Sequence, residues 1–217
     1  PVEDYACTHS IASSLLLSKK DGIAGAWRIF VPRTGHHEVW CVTLHNESEK
    51  TRHISLFSAV SFSLEGFSYP RYYEMYRTMQ TSFDKELNGV FCDSAHPFAP
   101  HGLYHGFLAS SDPVAAYDGN LNAFCGAANT LTQPDASATA LFARPDVVLQ
   151  GRDCTNSTAA LFILGGVLQN KLTLDPGEEH TLRIVFGIAA DRDDARRAVE
   201  RYRPAEATEA AFDAAQQ

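Results

Sequence analysis

The stretch Val39–Leu64, VWCVTLHNESEKTRHISLFSAVSFSL, restricts the fold of this chain more than any other segment. Ile54, Leu56, Val60, Phe62 and Leu64 fall at even positions with the small Ser58 among them; His53, Ser55, Phe57, Ala59, Ser61 and Ser63 fall at odd ones. Successive side chains of a strand point to opposite faces, so a period of two describes a strand with one face on a core. The run beginning at Val39 is strand-like too, and the link Asn46 to Lys50 is polar and turn-prone. The pattern predicts a β-hairpin here, and with it an antiparallel β class.

Composition sets the outer limits. The chain has 217 residues, 45% hydrophobic and 20% charged, enough for one large all-β domain or two smaller ones. The formal net charge is −8, and no Lys/Arg cluster is present to collect phosphates, which argues against a nucleic-acid partner. No apolar run reaches the roughly 18 residues of a membrane helix, so no membrane contact is expected. The opening Pro1-Val2-Glu3-Asp4 is acidic and has no initiator Met. It carries no signal-peptide pattern, and the chain is expected to be a piece of a longer polypeptide or a trimmed form. Cys7, Cys41, Cys92, Cys125 and Cys154 are scattered, odd in number and without CxxC spacing, as reduced thiols of a cytoplasmic protein would be. The sequons at Asn46 and Asn156 would matter only in a secretory lumen.

Other segments add elements. Ser13–Leu17 and Ala24–Val31 read as strands around Lys20-Asp21-Gly22, because Asp-Gly suits the positive φ angles of a tight hairpin. Pro32 ends the second of them. Glu65–Met79 is tyrosine-rich and fits either strand or irregular chain, while Asp93–Gly106, with two prolines and three histidines, reads as a loop. Gly106–Ser111 is a strand broken by Pro113. A short helix through Asn122–Cys125 is expected, capped by Asp118 and ended by Gly126. Residues 126–160 carry few signals. Ile163–Leu174 and Thr181–Ile188 are strands joined by the Asp175-Pro176-Gly177-Glu178 turn, and Gly165-Gly166 marks a bulge or a close backbone approach. From Asp191, a good N-cap, the period changes: Ala195, Val199 and Tyr202 form a helical apolar stripe that Pro204 interrupts, and an alanine-rich tail follows. These elements place one β-domain over residues 1 to about 190, followed by the start of something helical over 191–217.

Candidate chemistry is sparse. His96, His101 and His105 cluster without metal-motif spacing and read as loop packing. Trp27, Tyr69, Tyr72, Tyr73 and Tyr76, with Trp40, could stack on pyranose faces or build a core or interface. Asp112, Asp118, Asp146 and Asp153 sit in turn-like contexts that aspartate favours for backbone hydrogen bonds, and nothing selects a catalytic pair. GxSxG, phosphate-loop and HExxH motifs are all missing, and no cofactor or metal is implied.

Four phrases in order, DGIAGAWRIFVP (21–32), EVWCVTLHNESEKTRHISLFSAV (38–60), FLASSDPVAAYDGNLNAFCG (107–126) and GGVLQNKLTLDPGEEHTLRIVFGIAAD (165–191), resemble the N-terminal β-sandwich of glycoside hydrolase family 94. That family holds cellobiose, chitobiose and related β-glucan phosphorylases, and a similar module occurs in cyclic β-1,2-glucan synthases. The chain departs from the family's F-D-x-x-R phrase at Tyr117-Asp118-Gly119-Asn120-Leu121, which lacks the arginine. The resemblance implies a large antiparallel supersandwich, galactose-mutarotase-like, with a short C-terminal helix. Linker helices and an (α/α)6 barrel would follow, and the barrel would carry the catalytic aspartate and bind inorganic phosphate. It also implies a chain that is non-catalytic alone and belongs to an inverting phosphorylase. Such enzymes are commonly homodimers, and β-glucan or cello-oligosaccharide is the implied ligand class.

Overall fold

A computed structural model of the chain describes residues 2–62, 64, 78–95, 104–126, 142, 144–160 and 163–217. The strands are β1 (Glu3–His9), β2 (Ser13–Lys20), β3 (Ile23–Phe30), β4 (His37–Asn46), β5 (Arg52–Ser61), β6 (Thr78–Asp84), β7 (Gly89–Ala95), β8 (His105–Ser110), β9 (Ala116–Asn120), β10 (Leu164–Leu174) and β11 (Glu179–Ala189). The helices are α1 (Leu121–Cys125), α2 (Asp146–Leu149), α3 (Arg192–Tyr202) and α4 (Ala205–Gln216). One sheet has eight strands in the order β1-β2-β3-β4-β11-β8-β7-β6, the other three in the order β5-β10-β9. All the strand pairings are antiparallel, as the alternation predicts.

Four layers result. Trp40, Leu108, Leu182 and Ile184 from the large sheet meet Val60, Phe62, Leu164 and Leu168 from the small one in the inter-sheet core. The opposite face of the large sheet, with Phe30, Val39, Phe91, Phe107 and Val185, is covered by Ala195, Val199 and Tyr202 of α3 and Phe212 of α4. The outer face of the small sheet, with Phe57, Ala116 and Val167, is covered by Leu121 and Phe124 of α1 and Val147 of α2. Strands β4, β5, β10 and β11 are therefore covered on both faces: Val39, Val185, Phe57 and Val167 face the helical layers, and Trp40, Ile184, Val60 and Leu168 face the inter-sheet core.

The hairpin expected in Val39–Leu64 does not form. β4 pairs with β3 and β11 in the large sheet, whereas β5 pairs with β10 in the small one. The link 47–51 is an arch that carries the chain from one sheet to the other. The turn 175–178 is a second arch, returning from β10 to β11 alongside the first. Asn46 sits fully buried between them. Its Nδ2 donates to the carbonyls of Lys50 (2.8 Å) and Leu174 (2.9 Å), and its Oδ1 accepts from Ser48 N (3.0 Å) and Ser48 Oγ (2.6 Å). Its backbone N–H and C=O bond Glu178 O (2.9 Å) and Gly177 N (2.8 Å) in the second arch. A polar turn between two alternating runs reads the same whether the runs pair or face each other, so the sequence pattern identifies the strands and not their partner.

Elsewhere local rules hold. Asp21 and Gly22 both adopt positive φ, 52° and 78°, in the two-residue turn between β2 and β3. β10 has an irregular register between Leu164 and Val167 opposite β9, and a Cβ on Gly165 would overlap the Leu121 side chain, as the bulge or close-approach reading requires. Asp191 Oδ1 accepts from Asp194 N (2.7 Å) and caps α3, whose buried residues are Ala195, Val199 and Tyr202. The cap of α1 is Asn120, not Asp118: Asn120 Oδ1 accepts from Asn122 N (2.9 Å), and Asp118 is occupied elsewhere. Asp93–Ala95 belong to β7 rather than to a loop. Pairing with β6 across a turn, in which Asp84 Oδ1 accepts from Glu86 N and Leu87 N (3.0 Å each), supplies the order that alternation does not signal.

Candidate functional site

Of the aromatics that could contact carbohydrate, Trp27 and Trp40 lie within the described chain; Tyr69, Tyr72, Tyr73 and Tyr76 lie outside the described residues. In β3, Trp27 stands opposite Leu16 of β2 and Val42 of β4, on the face that looks toward the small sheet. Strands β1–β3 extend past β5, so Trp27 remains 36% exposed while Trp40 is 8% exposed. The two indoles pack edge-on with ring centroids 5.3 Å apart, and Trp40 Nε1 donates to Glu38 Oε2 (2.9 Å). Together they floor a cleft of about 770 Å³, walled by Tyr5, Leu16 and Leu44 on one side and by Leu56, Phe57 and Phe124 on the other. Ser18 and Ser58 are the hydroxyls in its lining apart from the Tyr5 phenol. Such a recess can take an aromatic or apolar body, or the C–H face of a sugar ring.

A second cleft, about 490 Å³, opens at the end of the strands opposite the arches and includes His36, His37, Glu38 and Ser61. Its carboxylate and imidazole do not form an acid–base pair. Glu38 is the acceptor for Trp40, and His37 packs on Tyr202 with ring centroids 5.2 Å apart. Burial, and then the Arg201 guanidinium, lower the pKa of His37, so it is held neutral. His37 Nε2 and Tyr202 Oη are both buried without a hydrogen-bond partner among the described residues. Period-based reading of Gly35-His36-His37 sees only a loop; the run of consecutive imidazoles beside Glu38 is the signal available in the sequence.

The four aspartates are engaged separately. Asp118 is fully buried, and its Oδ1 accepts from the N and Oγ of Thr155 (3.0 and 2.7 Å) and of Ser157 (3.1 and 2.8 Å). It pins the segment 155–157 against β9. Asp112 is bonded by Ser111 Oγ (2.8 Å) and His180, and Asp153 by Lys171 Nζ (2.7 Å) and Gln169 Nε2 (2.7 Å). Hydrogen bonding to Lys171 and then Gln169 lowers the Asp153 pKa. Asp146 opens α2 beside Gly126. These are structural roles, as their turn contexts suggest.

Of the three clustered histidines, His96 and His101 lie outside the described residues. His105 accepts at Nδ1 from Ser94 N (3.3 Å) and stacks on Phe91 (5.3 Å), a packing role. No group of three or more His, Cys, Asp or Glu suited to a metal occurs among the described residues. Cys41, Cys92, Cys125 and Cys154 are buried and Cys7 is exposed, and none of the five is in a disulfide. Burial pushes the Cys92 thiol up to about 12 and Cys125 up to about 11, and raises Cys154 as well. The Asn46 sequon is unusable in the folded state because its amide is fully buried and hydrogen-bonded. No helix among the described residues is long and apolar enough to cross a membrane.

Comparison with known proteins adds a family. Residues 1–205 match the sequence model of the glycosyl hydrolase 94 supersandwich domain. Solabiose phosphorylase of Paenibacillus borealis is 34% identical over 195 residues, covering 90% of this chain and 24% of that protein. N,N'-diacetylchitobiose phosphorylase of Vibrio proteolyticus is 30% identical over 217 residues, covering 96% of this chain and 24% of that protein. The chain thus spans about a quarter of the length of the curated relatives it matches. Among solved structures, one described as a kojibiose phosphorylase from the human microbiome superposes with a TM-score of 0.52 at 10% identity. It covers 100% of this chain and 25% of that one, a likeness of fold.

Proposed function

The chain belongs to the glycosyl hydrolase 94 family as its supersandwich domain, and we propose that it is the non-catalytic sandwich of a cytoplasmic disaccharide or β-glucan phosphorylase. In this reading residues 1–190 are the sandwich, and 191–217 begin the helical connection to a catalytic helical barrel elsewhere in the polypeptide. The barrel supplies the carboxylic acid and the site for inorganic phosphate. Phosphate is then the nucleophile, and cleavage inverts the anomeric centre without a cofactor. The sandwich supports the barrel and helps form a homodimer.

The observation that carries the proposal is the match over residues 1–205 to a domain that amounts to a quarter of each phosphorylase relative. The engagement of Asp112, Asp118 and Asp153 by their own neighbours agrees with it, since an inverting reaction needs a free carboxylic acid beside the substrate. A second reading, a carbohydrate-binding module or the matching domain of a cyclic β-1,2-glucan synthase, is favoured by the exposed Trp27 on the cleft floor. Titration calorimetry of the chain with cellobiose, sophorose and longer β-glucans, together with light scattering, separates the two. A dimer that gives no heat with any sugar supports the scaffold; heat that disappears in Trp27→Ala supports the binding module.

A further inference from the structure

The outermost strand of the large sheet carries a group of side chains that the scaffold role does not use. Every residue of β1 is exposed, and Tyr5, Cys7 and His9 alternate along it. Cys7 Sγ lies 3.3 Å from His9 Nε2, and His9 Nδ1 lies 2.8 Å from Ser14 Oγ on β2. With the ring proton on Nδ1, His9 donates to Ser14 Oγ and leaves the Nε2 lone pair to accept the Cys7 S–H. The arrangement is held in register. His9 faces Ser14 directly, and the β1–β2 turn is closed by Ser10 N to Ser13 O (2.8 Å) and Ser13 N to Ser10 Oγ (3.0 Å).

The thiol also has a recess beside it. Cys7 pairs with Leu16, Leu16 with Trp27, and Trp27 with Val42, so these side chains share the face that floors the 770 Å³ cleft. Tyr5, two residues before Cys7 in β1, lines the same cleft. Nucleophile, base, orienting hydroxyl and apolar recess are contiguous. The other four cysteines are buried.

We propose that Cys7 is a nucleophilic site for apolar conjugated carbonyl electrophiles, with His9 as its base, Ser14 as the positioning residue and the Trp27 cleft as the recess for the electrophile's apolar body. The step is a conjugate addition. The Cys7 S–H proton passes to His9 Nε2, and the sulfur forms a bond to the β-carbon. The π pair of the C=C bond moves onto the α-carbon and carbonyl oxygen, and the imidazolium then returns its proton to the α-carbon. No oxidant or leaving group is needed.

The test is competition labelling of the folded 217-residue chain with N-phenylmaleimide and with the similarly sized, anionic N-(carboxyethyl)maleimide, read by peptide mass spectrometry. The expected result is addition at Cys7 first, with the phenyl reagent faster. His9→Gln, an exposed substitution, should lower the Cys7 rate at least about tenfold, within what a positioned general base contributes. Ser14→Ala should lower it less, and Ser14→Thr should restore it. Cys7→Ser should abolish fast labelling. Labelling spread evenly over the cysteines, an unchanged Cys7 rate in His9→Gln, or equal rates for the two maleimides would each overturn the proposal. The wild-type reagent comparison and His9→Gln decide without any variant in the core.

Discussion

Replacing Asn46 by alanine tests the double-arch topology, because a hairpin and an arch assign this residue opposite energetic roles. In a hairpin Asn46 would open a solvated loop, and a surface change there costs within about 0.5 kcal/mol. In the arch it is fully buried and makes four side-chain hydrogen bonds, two of them to the carbonyls of Lys50 and Leu174. Truncation takes its donor from the carbonyl of buried Leu174, whereas the carbonyl of exposed Lys50 still accepts from Ser48 Oγ (3.2 Å). A buried group stranded without its partner costs about 1–3 kcal/mol, and with about 1 kcal/mol more for the lost Ser48 and Lys50 bonds the total is about 2–4 kcal/mol. That is a large part of the roughly 5–15 kcal/mol of a typical domain, and lowers the Tm by roughly 10 °C at this size. Urea unfolding should be followed in parallel by tryptophan fluorescence and far-ultraviolet circular dichroism. The midpoint should fall with the slope unchanged, and Ser48→Ala, which removes partly exposed bonds, should cost under about 1 kcal/mol. If Asn46→Ala lies within about 0.5 kcal/mol of wild type, the arch reasoning fails.

Three other outcomes follow from the packing and charge. Gly165→Ala places a methyl group on the Leu121 side chain and should destabilise by about 1–3 kcal/mol; with Leu121→Ala the costs should add less than fully, and strict additivity in a double-mutant cycle would refute the clash. His37 has its pKa lowered by burial, with Arg201, Asp194, His36 and the Tyr202 ring around it. Its neutral form is the one the fold accepts, so its contribution is full above the unfolded value of about 6.5 and is lost as pH falls toward the lowered folded value. The melting temperatures of wild type and His37→Asn, measured from pH 8 to pH 5, should therefore converge on acidification, and a constant gap would contradict this. Asp84 is raised by burial, but the Leu87 N–H and the Arg196 and Arg192 guanidiniums outweigh that and hold its carboxyl below the usual range. Asp84→Asn should loosen α3 from the β6–β7 turn, read as faster amide exchange at Ala195 and Val199 with β10 unchanged; uniform protection would refute the tether.

Much of this fold was legible because local chemistry and tertiary packing agree. The Asp21-Gly22 turn, the Asp191 cap and the Ala195, Val199 and Tyr202 stripe all appear where short-range rules put them. What failed was non-local. Leu56, Val60 and Phe62 alternate whether β5 pairs with β4 or lies across the core from it, so the arch was invisible until the pairing with β10 was known. β1 carries Tyr5, Cys7 and His9 on an exposed face and has no buried residue to betray it. Asp118 reads as a cap in sequence because the same short carboxylate serves a helix end or a distant loop equally well. It binds Thr155 and Ser157, which are 37 and 39 residues away. Of the candidate site, Trp27 was legible as an aromatic. Its exposure depends on the large sheet outreaching the small one, which no residue pattern encodes.

The central claim is that this sandwich serves a phosphorylase without doing its chemistry. The direct measurement is release of sugar 1-phosphate when the 217-residue chain is incubated with inorganic phosphate and, in turn, cellobiose, N,N'-diacetylchitobiose and solabiose. The account predicts no phosphate-dependent product from the chain alone. Sustained turnover with any of these sugars would contradict it.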